Sequence, residues 1–128
     1  MKITKEYLRS HPNEVFVFGD NVMRRGKKGA SELRDEPNTY GFITKIFPNY
    51  EDFSYFRKEE YKPVLKHEIE MLELFITSST LHGTVEKFLI SKVGSGLANK
   101  NNIWDMIEPE LRRLKEEHPK YIVLLWEE

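Results

Sequence analysis

The sequence predicts an α/β fold: a single three-layer domain with a mainly parallel sheet and helices on both faces. Three observations carry this expectation. Short runs of β-branched and aromatic residues stand at 15–18, 39–45, 88–90 and 121–126, and each reads as a strand. Two segments with apolar residues at spacings of three and four lie between later strands, as amphipathic helices require. The runs at 15–18 and 121–126 are apolar without alternation, the pattern of strands covered on both faces. Strands that alternate with helices join in parallel through right-handed crossovers, which brings the loops at the strand C-termini to one edge, where ligands of such folds bind.

Taken in order, Thr4 caps a short helix over about 4–10, and Ser10-His11-Pro12-Asn13 ends it. The run 15–18 is a buried strand that stops at Gly19-Asp20-Asn21. Residues 26–36 form a glycine-bearing loop feeding a short helix that ends before Pro37. Thr39–Lys45 is the second strand, closed by Pro48 and Asn49. Tyr50, Phe53, Tyr55 and Phe56 crowd the next loop, where they cover a core edge or line a pocket. Tyr61, Leu65, Ile69, Leu72 and Ile76 mark one long helix from Lys58 to about Thr80, with Pro63 in its first turn. Phe88, Leu89 and Ile90 with Val93 give the third strand, which runs into a second glycine loop at 94–99. Ile103, Ile107, Leu111 and Leu114 set a helix over 102–117, with Pro109 near its start or kinking it. The run 121–126 is the last strand.

Composition narrows the function. The 128 residues contain 39% hydrophobic and 32% charged side chains, without repeat or linker, so residues 1–128 read as one domain with one core. There is no cysteine, hence no disulfide framework, no thiolate nucleophile and no cysteine zinc site. The four histidines, at 11, 67, 82 and 118, are scattered, so neither a metal site nor a cofactor is expected. No nucleophile-elbow pattern supports a serine triad. A net charge of -1 argues against nucleic acid as partner, although Arg24, Arg25, Lys27 and Lys28 gather enough local charge for a small anion. The longest apolar run, 121–126, is too short for a membrane span, and residues 1–6 lack a signal peptide's apolar centre, so the expected location is cytoplasmic.

Five of the seven glycines, Gly19, Gly26, Gly29, Gly94 and Gly96, lie in two loops expected at one edge of the sheet. Glycine admits positive φ and lets backbone N–H groups approach an oxygen-rich ligand, so a pyrophosphate suits this edge, as turns alone also would. Thr44 and Lys45 end a strand there, and Asp20 and Asn21 follow another. A lysine so placed pairs with phosphate or acts as a nucleophile, and a carboxylate or amide orients a hydroxyl or an amine.

The order of Gly19-Asp20-Asn21, the turn at 26–29, Tyr40-Gly41-Phe42-Ile43-Thr44-Lys45, the long helix, Ile90-Ser91-Lys92-Val93-Gly94-Ser95-Gly96-Leu97 and Trp104 resembles a small macro domain over residues 14–126. It is most similar to the branch containing terminal ADP-ribose protein glycohydrolase, above all in Ile-Thr-Lys at 43–45 and Gly-Ser-Gly-Leu at 94–97. Residues 18–45 also resemble a short macro-like group of phages and bacteria that carries Gly-Asp-Asn, Arg-Asp-Glu-Pro-Asn and Thr-Lys. The resemblance implies ADP-ribose or a related NAD-derived nucleotide as ligand. Asp20 and Asn21 would touch adenosine or ribose, and Gly26, Gly29, Gly94, Ser95, Gly96 and Leu97 the pyrophosphate. Thr44 and Lys45 would lie beside the distal ribose, and Asn99 would bond a ribose. In that branch the lysine attacks the ribose and an aspartate directly after Gly-x-Gly-Leu assists release. Ala98 occupies the second position, so hydrolysis needs an acid from elsewhere, such as Asp20 or Asp35. The alternative is a phage or mobile-element accessory protein that uses the aromatic loop 50–56 to bind a protein partner without nucleotide turnover.

Overall fold

The computed structural model describes residues 2–127, so Met1 and Glu128, the ends of the domain read from sequence, lie outside the described residues. Four parallel strands form one sheet: β1 (Glu14–Asn21), β2 (Thr39–Lys45), β3 (Lys87–Ile90) and β4 (Ile122–Leu124), in the order β2-β1-β3-β4. Three helices accompany them, α1 (Lys5–Ser10), α2 (Lys58–His82) and α3 (Trp104–Glu117). The α/β class, the parallel sheet and the helices on both faces are as the sequence predicts.

Side-chain alternation along the strands builds two cores. Val15, Val17, Phe88, Ile90, Ile122 and Leu124 pack with Leu72 and Ile76 of α2 and with Ile107, Leu111 and Leu114 of α3. The intervening residues Phe16, Leu89 and Val123 turn to the opposite face and meet Leu8 of α1, Ile3 and Leu33. Strand order explains this division. The chain steps from β1 outward to β2, then reverses past β1 to β3 and on to β4, and with crossovers of one hand a reversal of direction moves the connection to the other face. The second layer is thin, because residues 26–36 form one 3-10 turn at Gly29–Ser31 followed by further turns, not the expected helix. Arg34, in these turns, is drawn inward onto Asp20.

Other boundaries also moved. β1 continues through Gly19-Asp20-Asn21, because those residues pair with Phe42, Ile43 and Lys45 of β2, with a register shift between Asp20 and Asn21. Pro63 lies in the second turn of α2 rather than the first; Glu60 accepts the Arg57 N–H at 2.8 Å and sets the start further back. The last strand covers only Ile122–Leu124, after which Leu125–Glu127 curls into a 3-10 turn. β4 has β3 on one side alone, so no second ladder extends it. The aromatic loop divides: Tyr55 and Phe56 are buried, whereas Tyr50 and Phe53 are exposed.

Both outer strands have their free edges capped by helix groups. At β2, Ile43 donates its N–H to Glu68 Oε1 at 2.7 Å and accepts from Tyr61 Oη at 2.5 Å, both from α2. At β4, Ile122 donates to the His118 carbonyl at 3.1 Å and accepts from Lys115 Nζ at 2.6 Å. Such caps satisfy backbone groups that otherwise invite edge-to-edge pairing. Burial, with the Glu68 charge behind it, pushes the Tyr61 hydroxyl far above its ordinary range.

The folded state therefore holds the Tyr61 proton more tightly than the unfolded chain does. The linked stability is complete below the ordinary tyrosine value of 10.0 and is lost as pH rises beyond it. Denaturant titrations at about pH 9 and about pH 11 should show a loss of stability that is smaller in Tyr61→Phe. An equal loss in both proteins would remove Tyr61 as its source.

Candidate functional site

The C-terminal edge of the sheet holds the reversal of strand order between β1 and β3, the place where open α/β sheets leave a crevice. The loops meet there as the sequence implies. A Cβ placed on Gly19 would lie 3.4 Å from Thr44 Oγ1, 3.7 Å from Ala30 Cβ and 3.8 Å from Gly94 N, so the ends of β1 and β2 and the loop after β3 converge on one point.

Asp20 organises the first loop. Its carboxylate is buried in β1 and accepts from Arg34 Nη1 at 2.9 Å, Arg34 Nη2 at 2.6 Å, Arg24 Nη1 at 3.0 Å and the Asn21 N–H at 2.8 Å. The fork of Arg34 matches the two carboxylate oxygens, the geometry in which such pairs are strongest. The same guanidinium donates to the carbonyls of Gly26 at 2.8 Å and Arg25 at 3.0 Å, and stacks over Phe18. Asn21 closes the turn by donating its side-chain amide to the Arg25 carbonyl at 2.8 Å. Asp20 and Asn21 thus spend their polar groups on the loop itself. Gly26 and Gly29 have positive φ of 95° and 59° within it.

Two of the four basic residues at 24–28 are also committed. Arg24 bonds Asp20 and the Gly41 carbonyl, and Lys27 pairs with Asp35. Glu36 is paired separately with Arg9 at 3.0 Å, so Asp35 and Glu36 do not face one another as an acid/base couple. Gly41 is a space requirement: a Cβ there would strike Asp20 Oδ2 and come 2.8 Å from Arg24 Nη1.

Thr44 is buried and turns its hydroxyl to the Asp20 carbonyl at 3.4 Å. Lys45 donates from Nζ to the Asn49 carbonyl at 2.8 Å and lies 4.9 Å from the ring centres of both Tyr50 and Tyr55. Partial burial lowers its pKa below the usual lysine value. Lys100 also lies over the Tyr55 ring and pairs with Asp52.

In the loop after β3, Gly94 has φ 81°, and a Cβ there would come 2.6 Å from Ile107 Cδ1 and 3.3 Å from Thr44 Cγ2. Its glycine identity serves α3 packing as much as any ligand. Ser95 returns both its N–H and its hydroxyl to the Lys92 carbonyl, at 3.2 and 2.6 Å. Asn99 Oδ1 accepts the Trp104 N–H at 2.9 Å and fixes the start of α3. Ala98 is buried, Leu97 is exposed, and Gly96 has open space where a Cβ would stand. Among the described residues, the N–H groups of Gly94, Gly96, Leu97 and Ala98 meet no protein acceptor.

Two features were not visible in the sequence. One is a cavity of about 460 Å³ on the outer flank of β2, lined by Arg24, Ile43, Val64, His67 and Glu68 among others. Its members come from three separate segments, so no local motif marks it. The other is the cluster of Glu73, Glu117 and His118, whose ligand atoms all lie within 4.8 Å of one another. Arg113 Nη1 sits 2.9 Å from Glu117 Oε2 and 3.5 Å from Glu73 Oε2, so a guanidinium already supplies the positive charge a metal would bring.

Removing the guanidinium in Arg34→Met strips two bonds from a buried carboxylate, a change that costs about 3 kcal/mol. Chemical denaturation measures it, and a loss below about 1 kcal/mol would show that Arg24 alone suffices. Gly41→Ala should lose about 1–3 kcal/mol by overpacking against Asp20.

No curated protein and no solved structure matches the chain. The model of the family described as "Family of unknown function (DUF7831)" matches residues 1–102, a span that holds every candidate site residue from Asp20 to Asn99 and stops before α3. With four-fifths of its length matched, the chain belongs to the DUF7831 family.

Proposed function

We propose that the C-terminal edge of the sheet binds a phosphate-bearing nucleotide, ADP-ribose or a related NAD-derived nucleotide. The observation that carries this reading is the set of N–H groups at Gly94, Gly96, Leu97 and Ala98 without protein acceptors, placed where the strand order reverses. Backbone N–H groups around a residue of positive φ form a concave donor set that suits an anion. The sequence resemblance to macro domains supports the same ligand class.

Binding without turnover fits the side chains better than hydrolysis. Lys45 is held by Asn49 and two tyrosine rings, Ala98 offers only a methyl group, and the carboxylates that would replace the missing aspartate are engaged, Asp20 by two arginines and Asp35 by Lys27. Loss of a general acid or base commonly lowers a rate by about 10²–10⁴-fold.

Calorimetric titration with ADP-ribose, with AMP and NAD as controls, tests the reading. Binding is expected in the parent protein and lost in Gly96→Trp, whose side chain enters open space and leaves the melting temperature unchanged. Lys45→Ala is expected to retain binding, and the parent protein to release no ADP-ribose from ester- or glycoside-linked substrates. Equal affinity in parent and Gly96→Trp would sink the assignment. A second reading, favoured by the exposure of Tyr50 and Phe53 at 64% and 63%, is a protein-binding surface on the aromatic loop of an accessory protein. It predicts no heat with any nucleotide and a partner whose capture fails in Phe53→Asp.

A further inference from the structure

The cavity on the outer flank of β2 has a chemical character of its own. Its walls are apolar, from Val22, Ile43, Pro63 and Val64, and its polar groups are Glu68, Arg24 and His67. Glu68 is 6% exposed, and its Oε1 is occupied by the Ile43 N–H. Its Oε2 has no hydrogen-bond partner among the described residues, yet it is not sealed from solvent: Trp126 Nε1 is the one fully buried, unpartnered side-chain N or O there. Glu68 is also one of the residues that line this opening. Arg24 commits Nη1 to Asp20 and the Gly41 carbonyl, which leaves Nε and Nη2 for a ligand. Glu68 and Arg24 form no ion pair with each other, although both line the cavity.

A carboxylate oxygen that only accepts and a guanidinium edge that only donates, held apart between apolar walls, call for a molecule that joins a donor to an acceptor. The lining charges of Glu68 and Arg24 cancel, so the complement is neutral overall. The apolar walls favour a flat body over a compact zwitterion, whose charges would be costly to desolvate against valine, isoleucine and proline. The volume of about 460 Å³ gives room for a small molecule in a pocket broadly open to solvent.

We propose that this cavity binds a neutral planar heterocycle with an amino or imino N–H beside a ring-nitrogen or carbonyl acceptor, the edge pattern of a nucleobase. The N–H donates to Glu68 Oε2, the acceptor receives from Arg24, and Val22, Pro63 and Val64 hold the ring faces. The site lies beyond β2, whereas the free N–H groups of the loop after β3 lie on the other side of β1 and β2. It therefore stands independently of the phosphate reading.

The test uses nucleosides, which carry no phosphate. Amide spectra of the intact chain are recorded with adenosine, guanosine, cytidine and uridine in turn, and with free glutamine and arginine as zwitterionic controls. At least one nucleoside is expected to shift Val22, Arg24, Val64 and Glu68 while leaving Gly96 in place. Glu68→Gln keeps an acceptor for Ile43 and should weaken that binding about tenfold or more, as loss of a charged hydrogen-bond partner does. Val64→Trp should abolish it by filling the cavity. The proposal is overturned if no nucleoside shifts these amides, if only the free amino acids do, or if the shifts persist with unchanged affinity in both variants. Should Val64→Trp fail to fold, the affinity of a folded Glu68→Gln decides alone.

Discussion

The buried carboxylate of Asp20 is the constraint around which the functional end of this protein is arranged. A carboxylate placed inside a sheet without partners would lose several kcal/mol of hydration. It is stable here because Arg34 meets it with both arms of its guanidinium, Arg24 adds a third bond and the Asn21 N–H a fourth. The consequences spread along the chain. Arg34 must come inward, so residues 26–36 wrap as turns, and its remaining donors hold the Gly26 and Arg25 carbonyls. Arg24 takes a positive φ of 53° to reach Asp20 and Gly41. Gly41 in turn must lack a side chain, since a Cβ there would collide with the carboxylate.

The sheet edges depend on a second economy of polar groups. A four-stranded parallel sheet leaves donors and acceptors along both outer strands, and this chain satisfies them at one residue on each side, Ile43 and Ile122. The cap at Ile43 has a functional consequence. Glu68 enters the protein to serve one backbone N–H, and the same residue lines an apolar cavity together with Arg24. A device that closes an edge thereby brings a carboxylate into the lining of that cavity.

The reversal of strand order does similar work at the other candidate site. It brings the loops after β1 and β3 side by side, and Gly94 allows Ile107 and Thr44 to close on the backbone there. The donors left free lie at that packed glycine and just past it. Lys45, by contrast, ends β2 but is folded back into its own aromatic loop, where its charge is shared with Tyr50 and Tyr55. Position at the edge of a sheet makes a side chain eligible for chemistry; its hydrogen bonds decide whether it is available.

Amino-acid order by itself determined the class of fold, the four strand positions and the long helix, because apolar periodicity and cap residues such as Thr4 act over a few neighbours. It also located the edge at which the loops gather, since parallel connections of one hand leave little freedom. Tertiary structure decided what the polar side chains do. Asp20, Asn21 and Asn99 have residue types that suit ligand contacts, yet they bond to Arg34, to Arg25 and to Trp104. Nothing in the local sequence distinguishes those uses. Glu68, one charged residue among many on a long helix, gains its place only because α2 packs over the edge of β2. The physical reason is range: backbone preference is settled between near neighbours, whereas the fate of a charge depends on which distant partner reaches it once water has been excluded.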